Sequence, residues 1–215
     1  MPNEYVMIAL QVAALLFAVS FHESAHGLAA LFCGDPTARD LGRISLNPIR
    51  HIDPVGSVVV PALLAFAGAP VFGWARPVPV DLRRTRDPRS ANLLVSAAGP
   101  LSNVLLAAVF AILVFTLRSR IEGPLGGSVA GIVLLLALYS VLVNVALAIF
   151  NLLPIPPLDG FGVLESLLPR SLMPLAFALR RYGMLILLAV MMTGVLGHLL
   201  GPAQRAVLDV LLGRH

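Results

Sequence analysis

The sequence contains no lysine, one cysteine and few charges, and each shortage excludes something. Cys33 alone rules out an intrachain disulfide and any multi-cysteine zinc site. Charged residues fill 12% of the 215 positions, about half the share usual in soluble domains. With 58% hydrophobic residues and a mean hydropathy of +0.91, an ordinary soluble domain is excluded as well. The amino terminus lacks a basic segment and a small-residue cleavage site, so no signal peptide is expected there. All fifteen basic residues are arginine, and they cluster between apolar runs, where the positive-inside rule puts them. The net charge of +4 is therefore no sign of a nucleic-acid partner.

What remains reads as an all-α multipass membrane protein, a single membrane-embedded domain over residues 1–215. Spans are expected at about 4–33, 90–117, 128–153 and 183–200, with an amphipathic tail at 202–213. The run at 55–73 is interrupted by Pro61, Gly68 and Pro70 and reads as re-entrant or interfacial. Residues 42–48 alternate Arg43, Ser45 and Asn47 with Ile44 and Leu46, which predicts a small β element on the cytoplasmic side. An extended substrate pairing with its edge, a solvated loop, and a hairpin with 74–80 are all open readings.

The span 4–33 carries "FHESAHG" at 21–27. Positions four apart share a helix face, so His22 and His26 can converge on one ion while Glu23 stays near a water on it. The bland alternative is that these residues satisfy one another between helices. Three ionisable residues within five positions of a spanning segment are costly, which favours a functional site. A catalytic zinc usually takes three protein ligands, so another segment must supply one. Asp159 in "NLLPIPPLDG" is the best candidate: Pro154, Pro156 and Pro157 break the helix, and irregular backbone at membrane depth belongs beside a wet cavity. The alternative for Asp159 is a plain N-cap of a helix over 160–168.

His22-Glu-Ser-Ala-His26, "AGPLSN" at 98–103 and "NLLPIPPLDG" at 151–160 together resemble the site-2 protease family of intramembrane zinc metalloproteases. "HIDPVGSVVVP" at 51–61 and "GWARPVPV" at 73–80 resemble its compact bacterial branch, and neither a PDZ insertion nor a nucleotide-binding regulatory domain is read in the chain. The resemblance covers most of residues 20–165. It implies a three-helix catalytic core plus one further C-terminal span, cleaving helices of single-span membrane proteins within the bilayer. It also implies one zinc per chain held by His22, His26 and Asp159, with Glu23 as catalytic acid/base and Asn151 assisting the oxyanion or substrate backbone. Asn103 and Asn144 are candidates for substrate or oxyanion support, weighed against interhelical packing.

The remaining polar residues read more plainly. His51 and Asp53 suit capping or turn roles, His198 and His215 are isolated, Trp74 is an interfacial anchor, and the arginines of 83–89 form a solvated surface. Since the ligands must meet at one depth, 55–73 is expected to make no net crossing. Residues 45 and 85 then share one side with most arginines, the cytoplasmic side of the inner membrane, and the site opens toward it. Two competing functions are a metal transporter, whose ligands would be strung along a path, and a silent helix-binding relative, which would not need the full ligand set.

Overall fold

The computed structural model describes residues 3–66, 68, 73–118 and 128–212. Eight α-helices occur among them: α1 Glu4–Phe32, α2 Thr37–Asp40, α3 Val60–Phe66, α4 Pro88–Arg118, α5 Val129–Asn151, α6 Asp159–Leu167, α7 Met173–Met192 and α8 Val195–Leu212. Four helical stretches are long and apolar enough to cross a membrane: Glu4–Phe32, Pro88–Arg118, Val129–Asn151 and Arg170–Met192. The ends of these helices follow from local chemistry. Asn3 accepts from Val6 N to open α1, Ser128 Oγ accepts from Gly131 N to open α5, and Asp87 precedes Pro88 as the cap of α4.

Helices α1, α4 and α5 pack on one another, and α4 also carries α6. Val114, Leu134, Ala137, Leu138 and Val141 form the apolar cluster between α4 and α5, with Val207 of α8 against it. The last long helix differs from the expected 183–200. It begins at Met173, just before Pro174, and it stops before Gly194, whose φ of 72° ends the run. Arg180 and Arg181 look like loop residues in sequence, yet they lie inside α7. Arg180 is accommodated by an ion pair with Glu165 of α6, and Gly183 lets α7 approach Pro156 closely.

No strand forms among the described residues, which corrects the β element expected at 42–48 and its hairpin with 74–80. Side chains take the hydrogen bonds that a ladder would have used. Ser45 N bonds Ser24 Oγ of α1, while Ser45 O accepts from both Ser24 Oγ and His51 Nε2. Arg43 Nη2 donates to Arg76 O and Pro77 O, and Pro77 and Pro79 have no N–H to offer a partner. Residues 73–81 take no regular secondary structure.

The apolar segment after His51 runs as a π-helical turn, Pro54–Val59, into α3. Asp53 caps it through Val55 N and Gly56 N. Trp74 then returns to the start of this segment: its N–H donates to Gly56 O and its carbonyl accepts from Ser57 Oγ. Both loops that flank the segment lie at the C-terminal end of α1, tied there by Ser24 to Ser45 and by Arg86 N to Cys33 O.

Candidate metal centre

The centre is built where α1 crosses α4 beneath the start of α6. His22 and His26 lie one turn apart on α1 with their Nε2 atoms 3.0 Å from each other. Asp159 Oδ2 approaches them at 3.1 Å and 3.4 Å. The three ligand atoms lie within 4.8 Å of one another, and among the described residues this is the group able to hold a metal ion. Asp159 lies at the first position of α6, and the cap residue is Leu158, so the N-cap alternative is overturned. Its Oδ2 is buried and makes no hydrogen bond.

Three features of the chain aim these atoms. Residues 152–158 form turns rather than helix, as the prolines require, and deliver Asp159 to the imidazoles. His26 Nδ1 donates to Val95 O at 2.7 Å, which places its proton on Nδ1 and leaves the Nε2 lone pair facing the centre. Gly99 of α4 supplies the space. A methyl group there would lie 2.5 Å from both His22 Cε1 and His26 Nε2, so the residue without a side chain is the wall of the cradle. Two facing imidazole lone pairs and a buried carboxylate oxygen with no donor are a set of acceptors, the chemistry that a divalent cation satisfies. These residues fit a zinc ion.

Around this set, Glu23 is half-buried and one of its oxygens accepts from Val78 N at 3.0 Å. Ile44, Ala38 and Val78 close over Gly27 of α1, the residue after His26. A cavity of about 280 Å3 opens beside Asp159, lined by Asn92, Ser96, Pro157, Phe161 and Arg180 among others.

The other expected residues fall as follows. Asn103 and Asn144 are fully buried; Asn103 Oδ1 lies 2.6 Å from His22 Nδ1, and Asn103 Nδ2 donates to Asn144 Oδ1 at 2.7 Å. Asn151 ends α5 with its amide nitrogen donating to Leu147 O. His51 is buried at Ser45, and Asp53 caps the π turn. His198 bonds its own helix at Gly194 O, and His215 lies outside the described residues.

Sequence reasoning missed several contributors. Gly99 gave no signal beyond its place in "AGPLSN". Arg89 is exposed, as expected of the 83–89 arginines, and it also closes the end of α6: Nε and Nη2 donate to Ser166 O and Leu168 O. Asn92 likewise holds α6 to α4 through Gly162 O and Ser166 Oγ.

Comparison with known proteins bears on the family. The family model for peptidase family M50 matches residues 119–194, a stretch that includes Asp159 but not the histidines. A Bacillus subtilis protein named "Putative zinc metalloprotease YwhC" is 36% identical over 201 residues, covering 94% of this chain and 88% of its own. "Putative zinc metalloprotease Rip2" of Mycolicibacterium smegmatis is 30% identical over 198 residues, covering 91% of this chain and 71% of its own. Its namesake in Mycobacterium tuberculosis H37Rv is 30% identical over 194 residues, covering 89% and 69%. No solved structure matches. Identity at this level over nearly the whole length of a relative leaves one conclusion: the chain belongs to peptidase family M50, the site-2 protease family.

Proposed function

We propose that this M50 zinc metalloprotease is an intramembrane endopeptidase that cleaves the helices of single-span membrane proteins. The observation that carries the reading is the convergence of His22 Nε2, His26 Nε2 and Asp159 Oδ2 on one point, with Glu23 adjoining on α1. His22, His26 and Asp159 would hold one zinc per chain. Bound there, zinc polarises a carbonyl and acidifies a water. Glu23 accepts the proton of the attacking water and passes it to the leaving nitrogen, while the Val78 N–H keeps its carboxylate in place. The cavity beside Asp159 gives polar groups and water a place next to the ligand. A set of ligands at one point, rather than strung along a path, speaks against ion transport.

The same geometry supports a topology. Trp74 meets Gly56 and Ser57, which supports a segment 55–73 that makes no net crossing. The loops that contain Arg43, Arg50, Arg76 and Arg83 gather at the C-terminal end of α1, and the positive-inside rule makes that end cytoplasmic. His26 precedes the end of α1 at Phe32 by six positions, so at about 1.5 Å per residue the centre lies roughly 9 Å inside the helix end. Purified protein in lipid nanodiscs, incubated with a panel of single-span proteins, tests the function. Cleavage inside a substrate span by wild type and not by Glu23→Gln is the expected result. Wild type that cleaves no member of the panel but carries zinc across vesicles would overturn it.

A further inference from the structure

Asn103 and Asn144 face away from the reacting side of the centre, and that placement defines what they do. His22 has two ring nitrogens. Nε2 faces His26 and Asp159; Nδ1 faces Asn103 Oδ1 at 2.6 Å. The direction of this hydrogen bond can be read outward along the chain of amides. Asn144 Nδ2 donates to Ser140 O at 2.8 Å, a carbonyl that can only accept, so Asn144 Oδ1 points the other way. That oxygen takes the Nδ2 proton of Asn103 at 2.7 Å, and the second Nδ2 proton points at Ala18 O of α1 at 3.5 Å. Asn103 therefore presents its oxygen to His22, and His22 must carry its proton on Nδ1.

We infer that Asn103, oriented by Asn144, is the positioning residue that fixes His22 in its metal-binding tautomer and sets the affinity of the centre. This rests on the metal reading given above. Both asparagines and Ser140 are essentially sealed from solvent, at 0%, 0% and 2% exposure, so no water substitutes for a lost partner. The chain of hydrogen bonds joins α1, α4 and α5. It is the counterpart of the Val95 carbonyl that holds His26. One ligand is thus oriented by main chain and the other by a two-residue amide relay. Ring orientation by such outer partners is typically worth ten- to hundredfold in metal affinity.

The test is a zinc dissociation constant, measured by chelator competition on purified protein, together with the visible spectrum of the cobalt-substituted form. Asn103→Ala is expected to bind zinc about ten- to hundredfold more weakly and to show a changed cobalt spectrum. Asn103→Asp, as the neutral acid whose hydroxyl donates to Asn144 Oδ1, keeps an acceptor at His22 Nδ1 and is expected to restore affinity to within about tenfold of wild type. Asn144→Leu removes only the outer link and is expected to fall between them. The rise in melting temperature on adding zinc should shrink in the same order. If Asn103→Ala fails to fold, Asn103→Asp and Asn144→Leu still decide the matter through their order of affinity. An unchanged zinc constant in Asn103→Ala, with cleavage reduced, would overturn the inference in favour of a role at the substrate. Equal loss of stability with and without zinc would overturn it in favour of packing alone. His22→Ala that binds zinc like wild type would overturn the metal reading itself, and this inference with it.

Discussion

Five aspartates of this chain sit at or just before a turn or helix start, and four of them do one thing while the fifth does another. Asp35 receives Thr37 N and Thr37 Oγ1 on one oxygen and Asp81 N on the other. Asp53 receives Val55 N and Gly56 N, Asp81 receives Arg83 N, and Asp87 receives Arg89 N. These carboxylates complete the backbone that follows them. Asp159 opens α6 and caps nothing; one of its oxygens stays buried without a donor, turned toward two imidazoles on another helix. The difference separates the four capping carboxylates from the proposed ligand by what they leave unused. A carboxylate that forgoes its local N–H groups inside an apolar bundle gives up stabilisation that a ligand must restore.

The largest effect expected from this contrast is at Asp159. Asp159→Ala should lower zinc affinity by more than about a hundredfold, beyond the usual loss from outer partners, and reduce cleavage to background. Metal content and cleavage measured on the same sample check both. Glu23→Gln should retain zinc and lose about a hundred- to ten-thousandfold in cleavage, because the proton acceptor is removed and the ligands are not. Equal zinc loss in these two variants would erase the distinction between ligand and base.

Gly99→Ala comes next. The added methyl meets both imidazoles, and overpacking of this kind costs about 1–3 kcal/mol in stability. Zinc affinity should fall as well, since the crowded atoms are the ligands themselves. Unaltered zinc binding in Gly99→Ala would show that α4 does not wall the centre.

Asp35→Asn should be smaller and of another kind: a loss of about 1–3 kcal/mol from the buried loop with zinc affinity unchanged. Burial pushes the Asp35 carboxyl up, but donation from Thr37 and from the Asp81 N–H outweighs it and holds the carboxyl below its usual value. A depressed folded value means that this stabilisation is complete above about pH 4 and is lost as pH falls through the folded value. Melting curves of wild type and Asp35→Asn should therefore converge on acidification. The smallest effect belongs to Arg83→Ala, where a side chain 91% exposed should leave melting temperature, zinc content and cleavage unmoved.

Much of this was legible in residue types, because a membrane makes polar groups conspicuous. The first three spans, the two histidines, Glu23 and Asp159 all announce themselves as costs in an apolar chain, and the structure brings His22, His26 and Asp159 together. What was not legible depends on a partner or on shape. Alternation at 42–48 has the period of a strand but cannot say whether a neighbour exists, and here Ser24, His51 and Arg43 supply the hydrogen bonds instead. Arg180 and Arg181 made the last span look shorter at its start, because sequence alone cannot see Glu165 waiting on α6. Asn103 was visible as a polar residue in a span, but the direction of its amide is decided on the neighbouring helix, through Asn144 at Ser140 O. Gly99 contributes by having no side chain, which composition cannot weigh.

The proposed ligands come from α1 and α6, with the long apolar helices α4 and α5 made between them. Chains emerge from the ribosome amino terminus first, so the histidine pair is complete long before its carboxylate exists. A polypeptide arrested anywhere ahead of Asp159 holds two imidazoles and no third grip on a metal. On the proposed reading the metal site stays incomplete until α6 has been made.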